Sequence, residues 1–521
     1  MTPVSTPAFY VTTPIYYVNG DPHIGHAYTT IACDVLARFM RLDGFRVHFL
    51  TGTDEHGQKV AKSAAERGIE PIAFCDEVSA LFRNLAQALG STNDDFIRTT
   101  EQRHVESCQE LWRRLEANGH IYLDKYVGWY SVRDETFFDE GELTAGPDGT
   151  RLAPTGAPVE WVEEESYFFK LSAWQDKLLE LYDSNPDFIG PKSRFNEVRS
   201  FVAGGLRDLS ISRTTFSWGI PVPGNDRHIM YVWIDALTNY ITGLGFPKEG
   251  EAFKTFWPES HHIIGKEIIR HHCVYWPAFL MGAGLPVPKR VFAHGWWTAE
   301  GDKMSKSLGN VIDPYEMIER YGLDQLRYFL LREVPFGNDG DFSQTAMGQR
   351  TNGELANEFG NLAQRFLSFI AKNLGGVLPE PGALNEDDNA LLSACHLLLD
   401  QCRDAINQQA FHSALDAIWL VVRGANVYVD KQAPWTLRKT DPARMNTVLY
   451  VLAEATRHLA ILMQPYVPSA MAKLLDQLGV AEDQRSFAFL GEAHALKGGI
   501  TLPAPQGVFP RYMPGPGQEA K

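Results

Sequence analysis

Residues 12–26 read TTPIYYVNGDPHIGH, and this stretch decides the fold. The residues just ahead of it, Phe9, Tyr10 and Val11, are apolar, as in a buried strand. The chain then breaks at Asn19, Gly20, Asp21 and Pro22, a cluster of turn formers. Beyond the break Ile24, Tyr28, Ile31 and Val35 recur at helical spacing, so the turn feeds a helix. A strand, a tight turn and a helix N-terminus form an anion site, because unpaired N–H groups and the positive end of the helix dipole face the turn. His23 and His26 lie three apart on the first helical turn and share a face. Gly25 between them lets a planar base or a phosphate approach the backbone. This pattern implies a nucleoside triphosphate at the C-terminal end of a strand. Taken alone, an HxxH pair also fits a satisfied core histidine beside a surface one.

A second stretch, KMSKS at residues 303–307, lies far downstream. Alone it fits a solvated basic loop. HIGH followed at this distance by KMSKS resembles the class I aminoacyl-tRNA synthetases. The flanking TTPIYYVNGDPHIGH and the later YVWIDALTNY resemble the methionyl family in particular, and the likeness runs over nearly the whole chain.

The chain has 521 residues, enough for three or four domains with large cores. Its 64 acidic and 48 basic residues leave a net charge of −16, which argues against a surface coated in cations for indiscriminate nucleic-acid binding. The six cysteines form no CxxC pair, so neither a disulfide framework nor a thiolate zinc site is written here. The N-terminus lacks the basic and apolar regions of a secretory signal. The most apolar segment, residues 273–281, is too short to span a bilayer. A cytoplasmic protein is expected.

The fold class expected is α/β. The resemblance implies a Rossmann-like parallel-sheet catalytic domain split by a small β-rich insertion, and the helical period past residue 350 adds an all-α helical bundle. Residues 1–118 form the first half of the catalytic domain, in which residues 46–50 are a short strand emptying into TGTDEHG. Val105, Cys108, Leu111, Trp112 and Leu115 make one helical stripe. Residues 119–227 form the insertion, with short strands at 121–123 and 128–131. Methionyl enzymes often carry a CxxC zinc knuckle here, and this chain has no cysteine between Cys108 and Cys273. A knuckle held by packing, without zinc, is expected. The insertion is also too short for the editing domain of the isoleucine, valine and leucine enzymes. Residues 228–290 form the second catalytic half, with strands at 228–233 and 261–264. Residues 291–350 are expected to form the KMSKS and stem-contact region, with KMSKS on a mobile loop. Residues 351–502 form the bundle, with stripes Leu362/Phe366/Phe369/Ile370, Leu391/Leu392/Cys395/Leu398/Leu399/Cys402/Ile406 and Val448/Val451/Leu452/Ala455/Leu459/Leu462. The Pro/Gly-rich tail, residues 503–521, is expected to lie along the surface or fray. No C-terminal dimer-forming module fits, so a monomer is expected.

The resemblance implies ATP-dependent joining of L-methionine to tRNA(Met), initiator and elongator, with Mg²⁺ between the phosphates. Such chemistry needs alignment and charge stabilisation rather than covalent work by the protein. His23, His26, Lys303 and Lys306 would be catalytic, with Gly25, Gly265, Glu267 and Ser305 completing the ATP site. Glu267 also fits a solvated acid at a helix N-terminus. The methionine site would use Pro14, Ile15, Tyr17, Trp233, Ala236, Leu237, Tyr240, Ile268, His272 and Trp276, since sulfur packs well beside aromatic rings. Tyr17 and His272 would place polar hydrogens near the sulfur, and Asp54 would pair with the α-ammonium. These aromatics also fit ordinary core. Asn361, Arg365 and Trp435 would read the CAU anticodon by edge hydrogen bonds and stacking; helix capping and core filling are the plainer alternative. His261, His262, His271 and His272 invite a metal reading, but the two pairs sit on separate elements without a carboxylate triad, and no metal is expected.

Two other readings remain. One is another HIGH/KMSKS nucleotidyltransferase, such as a pantothenate-forming ligase, which leaves the C-terminal helices without a role. The other is a tRNA-binding paralogue that has lost activation, against which stand both HIGH imidazoles and both KMSKS lysines. The cysteinyl enzymes select their substrate with thiolate-bound zinc, and the cysteines for that are absent.

Overall fold

The protein, a computed structural model, is described over residues 6–134, 136–146, 149–304 and 309–513. It divides into two units. Ala8–Pro22 and His48–Ala293 form a sheet unit; Met1–Pro7, His23–Val47 and His294–Lys521 form a helical unit.

The sheet unit is organised by a seven-stranded sheet. Ala8–Thr12 lies at its middle, parallel to Ser260–Gly265, with Tyr10 opposite Ser260. Arg46–Asp54 pairs in parallel with both Tyr16–Tyr17 and Asp95–Arg98. Tyr10, Val11 and Thr12 are all buried, as a strand covered on both faces requires. The strand expected to stop at Leu50 runs on to Asp54, because Thr51 to Thr53 keep pairing with Asp95–Arg98. Helix Gln102–Ala117 lays Cys108, Leu111, Trp112 and Leu115 on a core shared with Tyr10, Leu50, Ile264, Tyr240 and Trp276.

Within residues 119–227, strands Ile121–Ser131, Thr136–Phe138, Glu160–Phe169 and Leu209–Ser210 form a separate antiparallel sheet, whereas Ile189–Gly190 returns to the seven-stranded sheet, parallel to Arg290–His294. Ile121–Ser131 is one continuous strand, not the two short ones expected, because it pairs with Glu160–Phe169 from Ile121 opposite Phe169 to Tyr130 opposite Glu160. Arg213 is buried at its base, with its guanidinium 4.6 Å from the Tyr231 ring, 4.7 Å from Phe137 and 5.5 Å from Tyr130. Residues 228–233 depart from expectation. The strand there, Asn225–Met230, is antiparallel to Ser212–Arg213 in its own three-stranded sheet and takes no part in the parallel one. The run IMYVW reads as one apolar strand, but helix Val232–Thr242 already begins within it, with Asp235 in its first turn.

In the helical unit, helix Ile24–Leu42 is enclosed on nearly every side rather than along one stripe. Its Asp34 pairs with Arg327 at 2.7 Å, both fully buried, and also takes a bond from Arg38 at 2.7 Å. Arg327 donates in addition to the carbonyls of Tyr466 and Pro465. At the helix end Asp43 accepts from Arg403 at 2.6 Å, and Phe39 meets Phe487 edge-on. The first helix is thereby bolted to the C-terminal helices. Those helices bury the expected stripes: Leu362, Phe366 and Ile370; Leu391, Cys395, Leu398, Cys402 and Ile406; and Val448, Val451, Leu452, Ala455, Leu459 and Leu462. Phe369, Leu392 and Leu399 are half-buried. The tail lies along the surface and is held as far as Tyr512. Phe509 is buried, the Tyr512 hydroxyl accepts from Arg320, and Asn352 bonds both the N–H and the C=O of Tyr512. No described helix is long and apolar enough to cross a membrane.

Candidate active site

The HIGH turn is a capping box built from imidazoles. His23 is the N-cap of helix Ile24–Leu42, and its Nδ1 accepts from the Gly25 N–H at 3.1 Å. His26 Nδ1 accepts from the His23 N–H at 3.1 Å, so the two rings satisfy each other's turn reciprocally. With both Nδ1 atoms acting as acceptors, the ring hydrogen of each neutral imidazole sits on Nε2. The ring centroids are 3.9 Å apart. A Cβ on residue 25 would press on the His23 ring at 3.0 Å, which explains the glycine between them.

The next helical N–H, that of Ile24, donates to the Ile312 carbonyl at 3.1 Å. Ile312 lies just past KMSKS. Upstream, Lys303 ends the strand Asp302–Lys303, opposite Thr298. The Asn310 side chain donates to the Lys303 carbonyl at 3.2 Å and so closes the two ends of the loop. Lys303 Nζ rests 6.0 Å from the exposed Trp296 ring. His23, Gly25, His26 and Lys303 thus share one unit, and the HIGH turn is bonded directly to the exit of the KMSKS loop. Ser305 and Lys306, together with the mobility expected of this loop, fall outside the described residues. Gly265 and Glu267 belong to the sheet unit. There Gly265 ends strand Ser260–Gly265, and the Glu267 carboxylate folds back over it where a Cβ would stand.

All the expected methionine residues lie in the sheet unit. Tyr17 and Asp54 are opposite one another in parallel register, and the Val18 N–H donates to the Asp54 carbonyl. Asp54 is 8% exposed at the C-terminal end of its strand. Trp233, Ala236, Leu237 and Tyr240 occupy one face of helix Val232–Thr242. Ile15, Tyr17, Trp233 and Ile268 are half-buried against the core that holds Leu237, Tyr240 and Trp276, and Pro14 is half-buried too. Tyr240 and Trp276 centroids are 6.3 Å apart.

His272 takes a different part from the one expected. It sits in a π-helical turn, His271–Tyr275, and its Nδ1 is 2.9 Å from the Ile268 carbonyl. That carbonyl can only accept, so Nδ1 carries the hydrogen and Nε2 accepts from the Tyr240 hydroxyl at 2.7 Å. Burial pushes the His272 pKa down to about 4, which keeps the ring neutral. His272 has no hydrogen left for sulfur; it aims Tyr240 instead.

Asn361 and Arg365 stand four apart on helix Asn361–Asn373. Arg365 pairs with Asp430 at 2.7 Å, and its guanidinium lies 5.0 Å from the Trp435 ring. Trp435 is 43% exposed, so it does not fill the core. The left-handed Ala433 (φ 41°) turns the chain so that Pro434 is buried and Trp435 projects.

Several residues went unread in the sequence. His271 stacks on Trp233 at 3.7 Å, and His262 stacks on Tyr240 at 4.0 Å while bonding Thr12. Burial drives both imidazoles well below their ordinary pKa. Only the run of histidines hinted at this, and it pointed toward a metal. Among the described residues, the donors close enough to share an ion are His104, Cys108 and Asp235, none of them from that run. Two of these, His104 Nε2 and Asp235 Oδ1, are already hydrogen-bonded at 2.8 Å.

Known proteins resemble this chain over nearly its whole length. Residues 9–367 match the family described as tRNA synthetases class I (M), and residues 378–513 match the anticodon binding domain of methionyl tRNA ligase. The chain is 59% identical over 517 residues to the methionine–tRNA ligase of Mesorhizobium japonicum, covering 99% of this chain and 100% of that one. It is 55% identical over 519 residues to that of Mycobacterium tuberculosis H37Rv, covering 98% and 99%. Its structure superposes with a TM-score of 0.95 on Mycobacterium tuberculosis methionyl-tRNA synthetase in complex with methionyl-adenylate, at 55% identity and covering 97% of this chain and 100% of that one. The free-state enzyme of that organism gives 0.89, at 52% identity and covering 98% and 99%. The chain belongs to the methionine–tRNA ligase family of class I tRNA synthetases.

Proposed function

We propose that this enzyme activates L-methionine with ATP, taken as its magnesium complex, to methionyl-adenylate and pyrophosphate, and then transfers methionyl to the 3′ end of tRNA(Met), initiator and elongator alike. The observation that carries this reading is the bond from Ile24 to Ile312, which brings the HIGH turn and the KMSKS loop exit side by side. His23, His26, Lys303 and Lys306 stabilise charge on the phosphate oxygens in the transition state. Gly25, Gly265, Glu267 and Ser305 hold the rest of ATP. Asp54 takes the α-ammonium, and the thioether lies among Tyr17, Trp233, Tyr240 and Trp276, with Tyr240 aimed by His272. Asn361, Arg365 and Trp435 read the anticodon. We further propose a zinc-less monomer working in the cytoplasm, with the domain boundaries given above.

Pyrophosphate exchange with each of the twenty amino acids, without tRNA, tests the reading. Methionine alone should support fast exchange. Exchange with another amino acid, or with none, overturns it.

A further inference from the structure

Asp235 takes no part in the chemistry above, yet it is fully buried and accepts from two imidazoles. His56 Nδ1 lies 2.7 Å from Asp235 Oδ2, and His104 Nε2 lies 2.8 Å from Oδ1. The far side of the His104 ring meets Thr242 Oγ1 at 3.2 Å, and the Cys108 thiol packs 3.2 Å from its Nε2. Three elements far apart in sequence therefore meet at one carboxylate. They are the turn after strand Arg46–Asp54, helix Gln102–Ala117 and the first turn of helix Val232–Thr242.

Two of these elements carry the methionine residues. His56 is two positions beyond Asp54. Asp235 stands between Trp233 and Ala236 on the helix that also carries Leu237 and Tyr240. The residue between Asp54 and His56 is anchored independently: Arg98, Thr100 and Thr53 all bond the Glu55 carboxylate, and Trp218 bonds the Glu55 carbonyl. Glu55 holds the turn to its own strand edge, and His56 is what reaches the helix with the side-chain pocket. We propose that Asp235 is a positioning residue for methionine: through His56 it sets the distance between the carboxylate that takes the ammonium and the helix that takes the thioether. This rests on the methionine reading above. Burial raises the Asp235 pKa, but the His56 and His104 imidazoles outweigh it and hold the carboxyl below its ordinary range, so the anchor stays charged.

The test is a double-mutant cycle in methionine-dependent pyrophosphate exchange, run beside thermal melting. Wild-type exchange with methionine is the prior check; its failure sinks the proposed function, not this inference. Asp235→Asn keeps the shape but can no longer accept from both imidazoles. It should raise the methionine KM roughly 10- to 100-fold, the scale of a misplaced contact, with the ATP KM unchanged. His56→Gln should do the same, and the double variant should be no worse than the poorer single. A methionine KM within about twofold of wild type in Asp235→Asn overturns the proposal. So does a parallel rise of both KM values with a lowered melting point, which marks a core residue only. Additive effects of the two substitutions also overturn it.

Discussion

The imidazole capping box makes a prediction that separates structure from chemistry at one residue. Asn is among the best N-cap residues, and its side-chain oxygen can accept the Gly25 N–H that His23 Nδ1 now accepts. His23→Asn should therefore leave the melting point close to wild type. It removes the ring Nε2–H, and loss of one preorganised donor to a developing charge costs about 10²–10³ in rate, or roughly 2.7–4 kcal/mol of barrier. His23→Ala loses the same donor and the cap as well, so it should show the same rate loss plus about 1 kcal/mol of stability. Both are measured by methionine-dependent pyrophosphate exchange at saturating substrates, beside urea unfolding. His23→Asn exchanging within about threefold of wild type would refute the reasoning, because the ring would then matter only as a cap. A far larger rate loss in His23→Ala than in His23→Asn would refute it from the other side, by placing the effect in the shape of the turn.

Lys306→Ala should lower activation by about 10²–10³ with little change in methionine affinity, measured by exchange kinetics. Trp435→Ala should cost about 1–3 kcal/mol in tRNA binding by filter or gel-shift titration while pyrophosphate exchange is kept; loss of both would mark the residue as core. In the buried pair, Asp34→Leu takes from Arg327 its carboxylate partner at 2.7 Å and should cost about 3–5 kcal/mol in denaturant unfolding. Arg327→Met leaves Asp34 its bond from Arg38 and should cost less, about 1–3 kcal/mol, so the reverse order would be contradictory. Burial lowers the His272 pKa from 6.5 to about 4, so the unfolded chain takes up that proton first as pH falls. This contribution is full above pH 6.5 and is lost toward pH 4, with a slope of at most about 1.4 kcal/mol per pH unit. His272→Gln should show a shallower fall in stability over that window, and an unchanged slope would exclude the assignment.

Local pattern was enough for the elements that begin the site. Ile24, Tyr28, Ile31 and Val35 declare the first helix by period alone, and the turn residues before it declare the break. The apolar run at 228–233 misled because strand and buried helix look alike over a few residues, and Asp235 was the overlooked sign of a helix start. The long pairing of Ile121–Ser131 depends on a partner some forty residues away, so no window along the strand reveals its length. The same holds for the site. HIGH and KMSKS were legible as motifs, but the bond that joins them is one N–H and one carbonyl, which any residue supplies. Tautomers were beyond reach, since His272 and the HIGH pair take theirs from whichever carbonyl or amide the fold brings near.

The bonds made by Tyr512 have a practical consequence. Composition alone would invite truncation at residue 503, in the proline-rich stretch. That cut discards the phenol whose oxygen takes two N–H groups of Arg320. Arg320 sits on helix Pro314–Tyr321, the first helix after the KMSKS exit. The same cut removes Phe509, which packs on Phe359 and Gly360, and Arg511, which bonds Asn357, so the tail is a guy-rope for two places at once, the helix after KMSKS and the segment that leads into Asn361.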